Sequence, residues 1–166
     1  MAGEDWTGGT LVAVLCNPPL TDGNRTLRRV QLAERILGFD MHCVVNIFAR
    51  PSHATGALVR LGVDDSGWIE ARPDISAGLG AARGVLLGYG STPPAGLARN
   101  KFNDQIDWLA GHLMALGVPI WQLGDGPRHP SRWQRWTHRA HPDIAFEEAV
   151  KRSLVLVDPE SFRSPH

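Results

Sequence analysis

The stretch Thr10-Leu11-Val12-Ala13-Val14-Leu15-Cys16-Asn17-Pro18-Pro19 decides the fold class. It opens on a continuous run of apolar and β-branched residues with no alternation. That is the pattern of a strand covered on both faces, as in a parallel sheet. The prolines end it, because neither can donate to a ladder. Turn chemistry follows at Asp22-Gly23-Asn24. A helix is predicted over 26–37, with Leu27, Val30, Ala33, Ile36 and Leu37 as its apolar stripe and Gly38 as its cap.

The alternation continues outward from that stretch. Strands are expected over 42–48, 84–87 and 119–123, and helices over 53–61, 75–83, 97–116 and 144–152. Residues 124–142 read as an irregular loop, and 154–157 as a further strand or an apolar tail. Strands alternating with helices imply right-handed crossovers and a three-layer α/β/α sandwich around a mainly parallel four-stranded sheet. Ligands of such folds bind beyond the carboxyl ends of the strands. Residues 17–19, 46–52, 88–91 and 124–131 are therefore expected to converge on one crevice.

Length and composition narrow the class. The chain has 166 residues, 43% of them hydrophobic and 20% charged, an ordinary globular mix. One domain over 1–166 is expected, with flexible tails at about 1–9 and 159–166. No apolar run approaches the length of a membrane span, and the acidic pair Glu4-Asp5 is unlike a signal peptide. Cys16 and Cys43 read as buried thiols of a cytoplasmic protein. Seventeen basic residues balance seventeen acidic ones, which argues against bulk coating of nucleic acid but not against a local basic patch.

Three segments carry candidate chemistry. Asn17, at the end of the first strand, presents an amide able to orient water or a ligand edge, and Asp22 behind it is a candidate base. The plainer reading of both is a strand-ending turn and a helix cap. Asn46 interrupts the apolar run Val44-Val45-Asn46-Ile47-Phe48. An Asn carries a donor and an acceptor, so it can read a nucleobase edge; alternatively it ends the strand and bonds a loop. From Gly126 to Pro142 there is no acidic residue, while four arginines, three histidines and two tryptophans occur. Arg and Trp interleaved suit a phosphate track with a stacking or wedge residue, or else a basic loop that packs its tryptophans inward. No phosphate-binding glycine loop with lysine is present. Gly88-Tyr89-Gly90 lacks the spacing of a dinucleotide fingerprint, and His138 and His141 lack a third metal ligand.

Two resemblances follow from these residues. Asn17-Pro18, Thr26-Leu27-Arg28-Arg29 and Val44-Val45-Asn46-Ile47-Phe48-Ala49 resemble a bacterial and phage domain family of unknown function, over most of residues 10–135. More distantly, the order of motifs is similar to the uracil-DNA glycosylase superfamily. Leu15-Cys16-Asn17-Pro18 stands where the mismatch-specific branch has Gly-Ile-Asn-Pro, and Gly23-Asn24-Arg25 matches its Gly-Asn-Arg. Asn46 and Arg50-Pro51-Ser52 resemble the Asn and Arg-Pro-Pro of another branch, one residue closer together. His129-Pro130-Ser131 matches the last superfamily motif, after the fourth strand.

The resemblance implies a uracil-DNA glycosylase-like fold and a monofunctional DNA glycosylase acting on a flipped pyrimidine. It implies that Asn17 holds the attacking water, with Asp22 as a helper base, and that Asn46 pairs with the base beside Pro18 and Pro19. His129 would donate to the pyrimidine O2 as charge develops there. Arg25, Arg50, Arg128, Ser131, Arg132, Trp133 and Arg135 would contact DNA, with Arg132 or Trp133 filling the vacated space. Pro19 stands where strict uracil enzymes place a Tyr against C5, so a 5-substituted base, hydroxymethylated or glucosylated, is expected besides uracil. The setting would be repair or anti-phage defence. Lys101 and Lys151 lie outside these segments, so no Schiff-base step is expected. No metal or cofactor, no membrane and no second subunit are implied. Two other readings stay open: a hydrolase or transferase of small nucleosides, and a silent nucleic-acid-binding or sensor domain.

Overall fold

A computed structural model describes residues 8–51 and 55–162 of the chain. Strand β1 (Thr10–Leu15) lies inside the sheet, flanked on both sides by parallel neighbours. One is β2 (Met41–Asn46), the other β3 (Ala82–Gly88). Next come β4 (Ile120–Leu123), parallel, and β5 (Leu154–Leu156), antiparallel, giving the order β2-β1-β3-β4-β5. The expected four strands are therefore five. Residues 154–156 form the extra edge, because the chain leaving the last helix turns back along β4 and pairs Leu154 with Leu123.

The side chains of β1 divide between two cores, as the period of two in a strand requires. Val12, Val14 and Cys16 pack on one face with Trp68, Ile75, Phe102 and Leu109. These come from α3 (Ser66–Gly80) and α4 (Ala98–Leu116). Leu11, Ala13 and Leu15 pack on the other face with Val30, Trp133 and Val150. These come from α1 (Asn24–Leu37), α5 (Trp133–Ala140) and α6 (Phe146–Ser153). Burial on both faces is why β1 reads as unbroken apolar sequence. Helix α2 (Thr55–Leu61) adds Leu58 to the first core. The expected helix start at His53, and Ser52 of the Arg-Pro-Ser segment, lie outside the described residues.

Two helices differ from expectation. α3 begins well before the predicted residue 75 and carries Pro73 in its interior. Pro73 sits on the exposed side, and its stripe Trp68, Ala71, Ile75 and Leu79 is buried, so core packing outweighs one missing backbone hydrogen bond. The predicted loop 124–142 contains a 3-10 turn, Pro130–Arg132, running into α5. Pro130 is favourably placed at the start of that turn, where its missing N–H costs nothing. Within the tail expected at 159–166, Pro159–Phe162 form a 3-10 turn packed against α4. The outer parts of both expected tails, 1–7 and 163–166, lie outside the described residues. Among the described residues no helix is long and apolar enough to cross a membrane.

Candidate active site

The chain runs from β1 to β2 on one side and then crosses to β3 on the other. The carboxyl ends of β1 and β3 therefore flank a topological switch point, where open α/β sheets form their ligand crevice. A cavity of about 490 Å³ occupies that position. It draws together Asn17, Pro18, Pro19 and Asp22 after β1, Asn46 from β2, Tyr89 and Gly90 after β3, and His129, Ser131 and Arg132 after β4.

Register explains the convergence. Leu15 pairs with Asn46 on one side and Gly88 on the other. The ladder continues past β2, with the Ile47 and Phe48 amides donating to Leu15 and Cys16 carbonyls at 2.9 Å. Val44 and Asn46 share the face of β2 that looks toward α1, and both line the cavity. Pro130 packs against the end of β3: a Cβ on Gly88 would lie 3.1 Å from it. The absence of a side chain at Gly88 lets the His129 turn approach the sheet.

The β1–α1 wall is built locally. Gly23 takes a left-handed φ of +66° and precedes the helix. Asp22 bonds Asn24 through both oxygens, to the backbone N–H at 3.1 Å and to the side-chain amide at 2.8 Å. The carboxylate thus organises the turn while bordering the cavity. Asn17 donates from Nδ2 to the Arg50 carbonyl at 3.3 Å, which joins the ends of β1 and β2. Leu27, expected in the core stripe of α1, is 39% exposed and lines the cavity instead.

His129 is the best-defined polar group. Its Nδ1 accepts from the Ser131 amide at 3.2 Å and lies 2.8 Å from the Ser131 hydroxyl. An amide can only donate, so Nδ1 carries a lone pair and the hydrogen-bond network assigns the ring proton to Nε2. Burial, followed by the positive charges of Arg132 and Arg29, holds the imidazole pKa below its ordinary value. The residue is a neutral Nε2–H donor at the cavity.

The other expected site residues are distributed differently. Trp133 is fully buried, with its Nε1 donating to the Arg128 carbonyl at 3.0 Å. It cannot reach a duplex without leaving the core, so the wedge and DNA-contact roles expected for it are withdrawn. Trp136 also packs inward: a Cβ on Gly124 would lie 2.5 Å from its ring. Arg128 lies over Trp136 at 5.4 Å and pairs with Asp125. Arg50 turns toward α3, donating to Ser66 at 2.7 Å, and does not line the cavity. Arg25, Ser131, Arg132 and Arg135 are exposed, and of these only Ser131 and Arg132 line the cavity.

Tyr89, inside the 88–91 segment expected at the crevice but given no role there, lines the cavity, and so do Cys16 and Thr26, which sequence reading did not single out as lining residues. Tyr89 is 5% exposed and meets Phe102 edge to face at 6.0 Å. Burial raises its phenol pKa and pushes the Cys16 thiol up to about 11, so both are neutral near pH 7. Among the described residues no cluster of His, Cys, Asp and Glu is arranged to hold a metal ion.

The molecule is thus an α/β protein with an amide- and imidazole-lined cavity at the switch point of a five-stranded, mostly parallel sheet. No protein family, curated protein or solved structure compared with this chain matches it.

Proposed function

We propose that the protein is a monofunctional DNA glycosylase of the uracil-DNA glycosylase-like type, hydrolysing the N-glycosidic bond of a flipped pyrimidine and leaving an abasic site. The observation that carries this reading is the meeting of Asn17, Asn46 and His129, three residues distant in sequence, on one cavity. Asn46 hydrogen-bonds the pairing edge of the base. As the bond between C1′ and the base nitrogen breaks, the electron pair passes into the ring and onto O2, where His129 Nε2–H donates. The sugar develops oxocarbenium character. Such a centre asks little of its nucleophile, so a water held by the Asn17 amide suffices; its oxygen bonds C1′ and its proton leaves to Asp22 or solvent. The chemistry calls for no metal, organic cofactor or lysine.

Arg132, Ser131, Arg25 and Arg135 are the surface groups for phosphate contact, and Arg132 takes the wedge role. Arg50 and Arg128 belong to this reading only as margins of the DNA surface, since both are engaged with protein partners. With Pro19 rather than a bulky ring at the cavity rim, the substrate class extends to 5-substituted pyrimidines alongside uracil, in base repair or defence against phages with modified DNA.

The test is an abasic-site assay on labelled DNAs carrying uracil, 5-hydroxymethyluracil, 5-hydroxymethylcytosine, its glucosylated form or a G·T mismatch. One of these is expected to be cleaved after alkali. Substituting His129→Ala should lower the rate about 100- to 1,000-fold, as for loss of one oxyanion donor, and Asn17→Ala should also depress it. Binding without cleavage of any substrate would instead favour a silent DNA-binding domain.

A further inference from the structure

We propose that Arg29 is the positioning residue for His129: reaching across from α1, its guanidinium pins the Pro130 carbonyl and so fixes the turn that carries the imidazole. The catalytic consequence rests on the glycosylase reading; the positioning itself does not. Arg29 Nη1 donates to the Pro130 carbonyl at 2.6 Å and Nη2 to Gln134 Oε1 at 3.3 Å. The cation also lies 5.5 Å from the Phe146 ring centroid on α6. One side chain thus ties α1, the His129 turn, α5 and α6 together.

The character of these partners matters. Among the described residues no carboxylate pairs with Arg29, and its contacts with Pro130, Gln134 and Phe146 are all to neutral groups. Its neighbour Arg25 repels it. Partial burial of a cation without a counter-charge is costly, so structural economy alone is a poor explanation for an arginine there. The geometry supplies two better ones. A charge-assisted bond to a carbonyl is roughly twice as strong as a neutral one and fixes the backbone beside His129. The uncompensated charge also disfavours an imidazolium nearby. Arg29 sits three residues beyond Thr26, which lines the opposite wall, so the same helix sets the spacing between the two sides of the cavity.

The charged and titratable groups around the His129 ring are Arg29 from α1, Arg132 on its own turn, and Asp22, Cys16 and Tyr89 across the cavity. Cys16 and Tyr89 are neutral near pH 7. Burial is the larger cause opposing protonation; of the charged groups the two arginines add to it, and Arg29 is the one that also holds the backbone.

The experiment compares wild type, Arg29→Met and Arg29→Lys by NMR of histidine-ring-labelled protein and by abasic-site kinetics. In Arg29→Met, His129 should titrate closer to an ordinary histidine and lose its single Nε2–H tautomer. The kcat should fall about ten- to a hundredfold, the scale of a small misplacement, with KM nearly unchanged. Arg29→Lys, which keeps the charge and a donor, should restore most of the titration shift and part of kcat. If Arg29→Met fails to fold, Arg29→Gln is read in the same way. A wild-type tautomer and titration in the neutral variant would overturn the proposal. Wild-type protein that cleaves no substrate would sink the glycosylase reading, and the NMR comparison would still decide the role of Arg29.

Discussion

On one side of the cavity, residues 15–27 run from a buried strand through a tight turn into the first helical turn, and their polar contacts are mostly local. On the other side, His129 and the short 3-10 turn Pro130–Arg132 are held by two partners far away in sequence, Arg29 on the Pro130 carbonyl and Gly88 beneath Pro130, and by the adjoining Trp133 rooted in the core. The first wall would keep its shape if its neighbours changed. The second is as good as the packing under it. The difference places the fragility of the site on the wall that carries the neutral imidazole.

The largest expected effect follows directly. Trp133→Ala removes a fully buried indole and its bond to the Arg128 carbonyl, and should cost about 3–5 kcal/mol. Leu27→Ala, on the opposite wall, truncates a side chain that is 39% exposed on a helix. It should cost less than about 1 kcal/mol. Urea denaturation of the two variants tests the comparison. Equal losses would mean that the walls are supported alike and that the asymmetry is only apparent.

The same asymmetry decided what could be read from sequence. The β1–α1 wall was legible because its determinants are local: a two-face apolar run, paired prolines, and an Asp-Gly-Asn turn. The convergence of Asn17, Asn46 and His129 followed from strand order, since parallel strands bring their carboxyl ends together. Helix α5 was not legible. It has only eight residues, and its stability comes from Trp133 in the core, Trp136 over Gly124 and the Thr137 hydroxyl bonded to the Trp133 carbonyl. Two tryptophans at a spacing of three, followed by Thr137, were the available signal, but the surrounding arginines made the segment look like a solvated loop. Pro73 hid the first half of α3 in a similar way, and β5 was too short to separate from a tail. Tyr89 was expected at the crevice as part of segment 88–91, but its side chain was weighed only within a glycine pattern. Its place just after a central strand put it at the crevice; that its ring is buried against Phe102 was not legible.

The outer face of α5 sharpens the comparison at the level of binding. Trp133 and Thr137 face inward, while Arg132, Arg135 and Arg139 are exposed, so the interleaving of Arg and Trp is the amphipathic period of a helix. If this face tracks phosphates, Arg135→Ala should weaken binding to all DNA sequences alike. It should also reduce the slope of log K against log salt by about 0.9 for duplex DNA. Stability should be nearly unchanged, because an exposed arginine on a helix contributes little. An unchanged salt slope would remove Arg135 from the DNA surface and leave the basic face of α5 without that role. Titrating fluorescent duplex at several salt concentrations gives the answer.

The smallest expected effect concerns pH. His129 is held neutral in the folded protein, so its folded pKa lies below the unfolded value, which is about 6.5 for histidine. Above that value both states are neutral and folding is unaffected. As pH falls through about 6.5, the unfolded chain takes up a proton that the native ring still refuses, and stability declines until the folded pKa is also passed. His129→Gln removes this linkage. The variant should therefore lose less stability than wild type between about pH 7 and 5, whatever its stability at neutral pH. Thermal or urea unfolding at a series of pH values measures the difference. A pH dependence identical in the two proteins would mean that the arginines and the desolvation around the imidazole do not act on it in the folded state. The wall built by Arg29 and the His129 turn would then be looser than its hydrogen bonds describe.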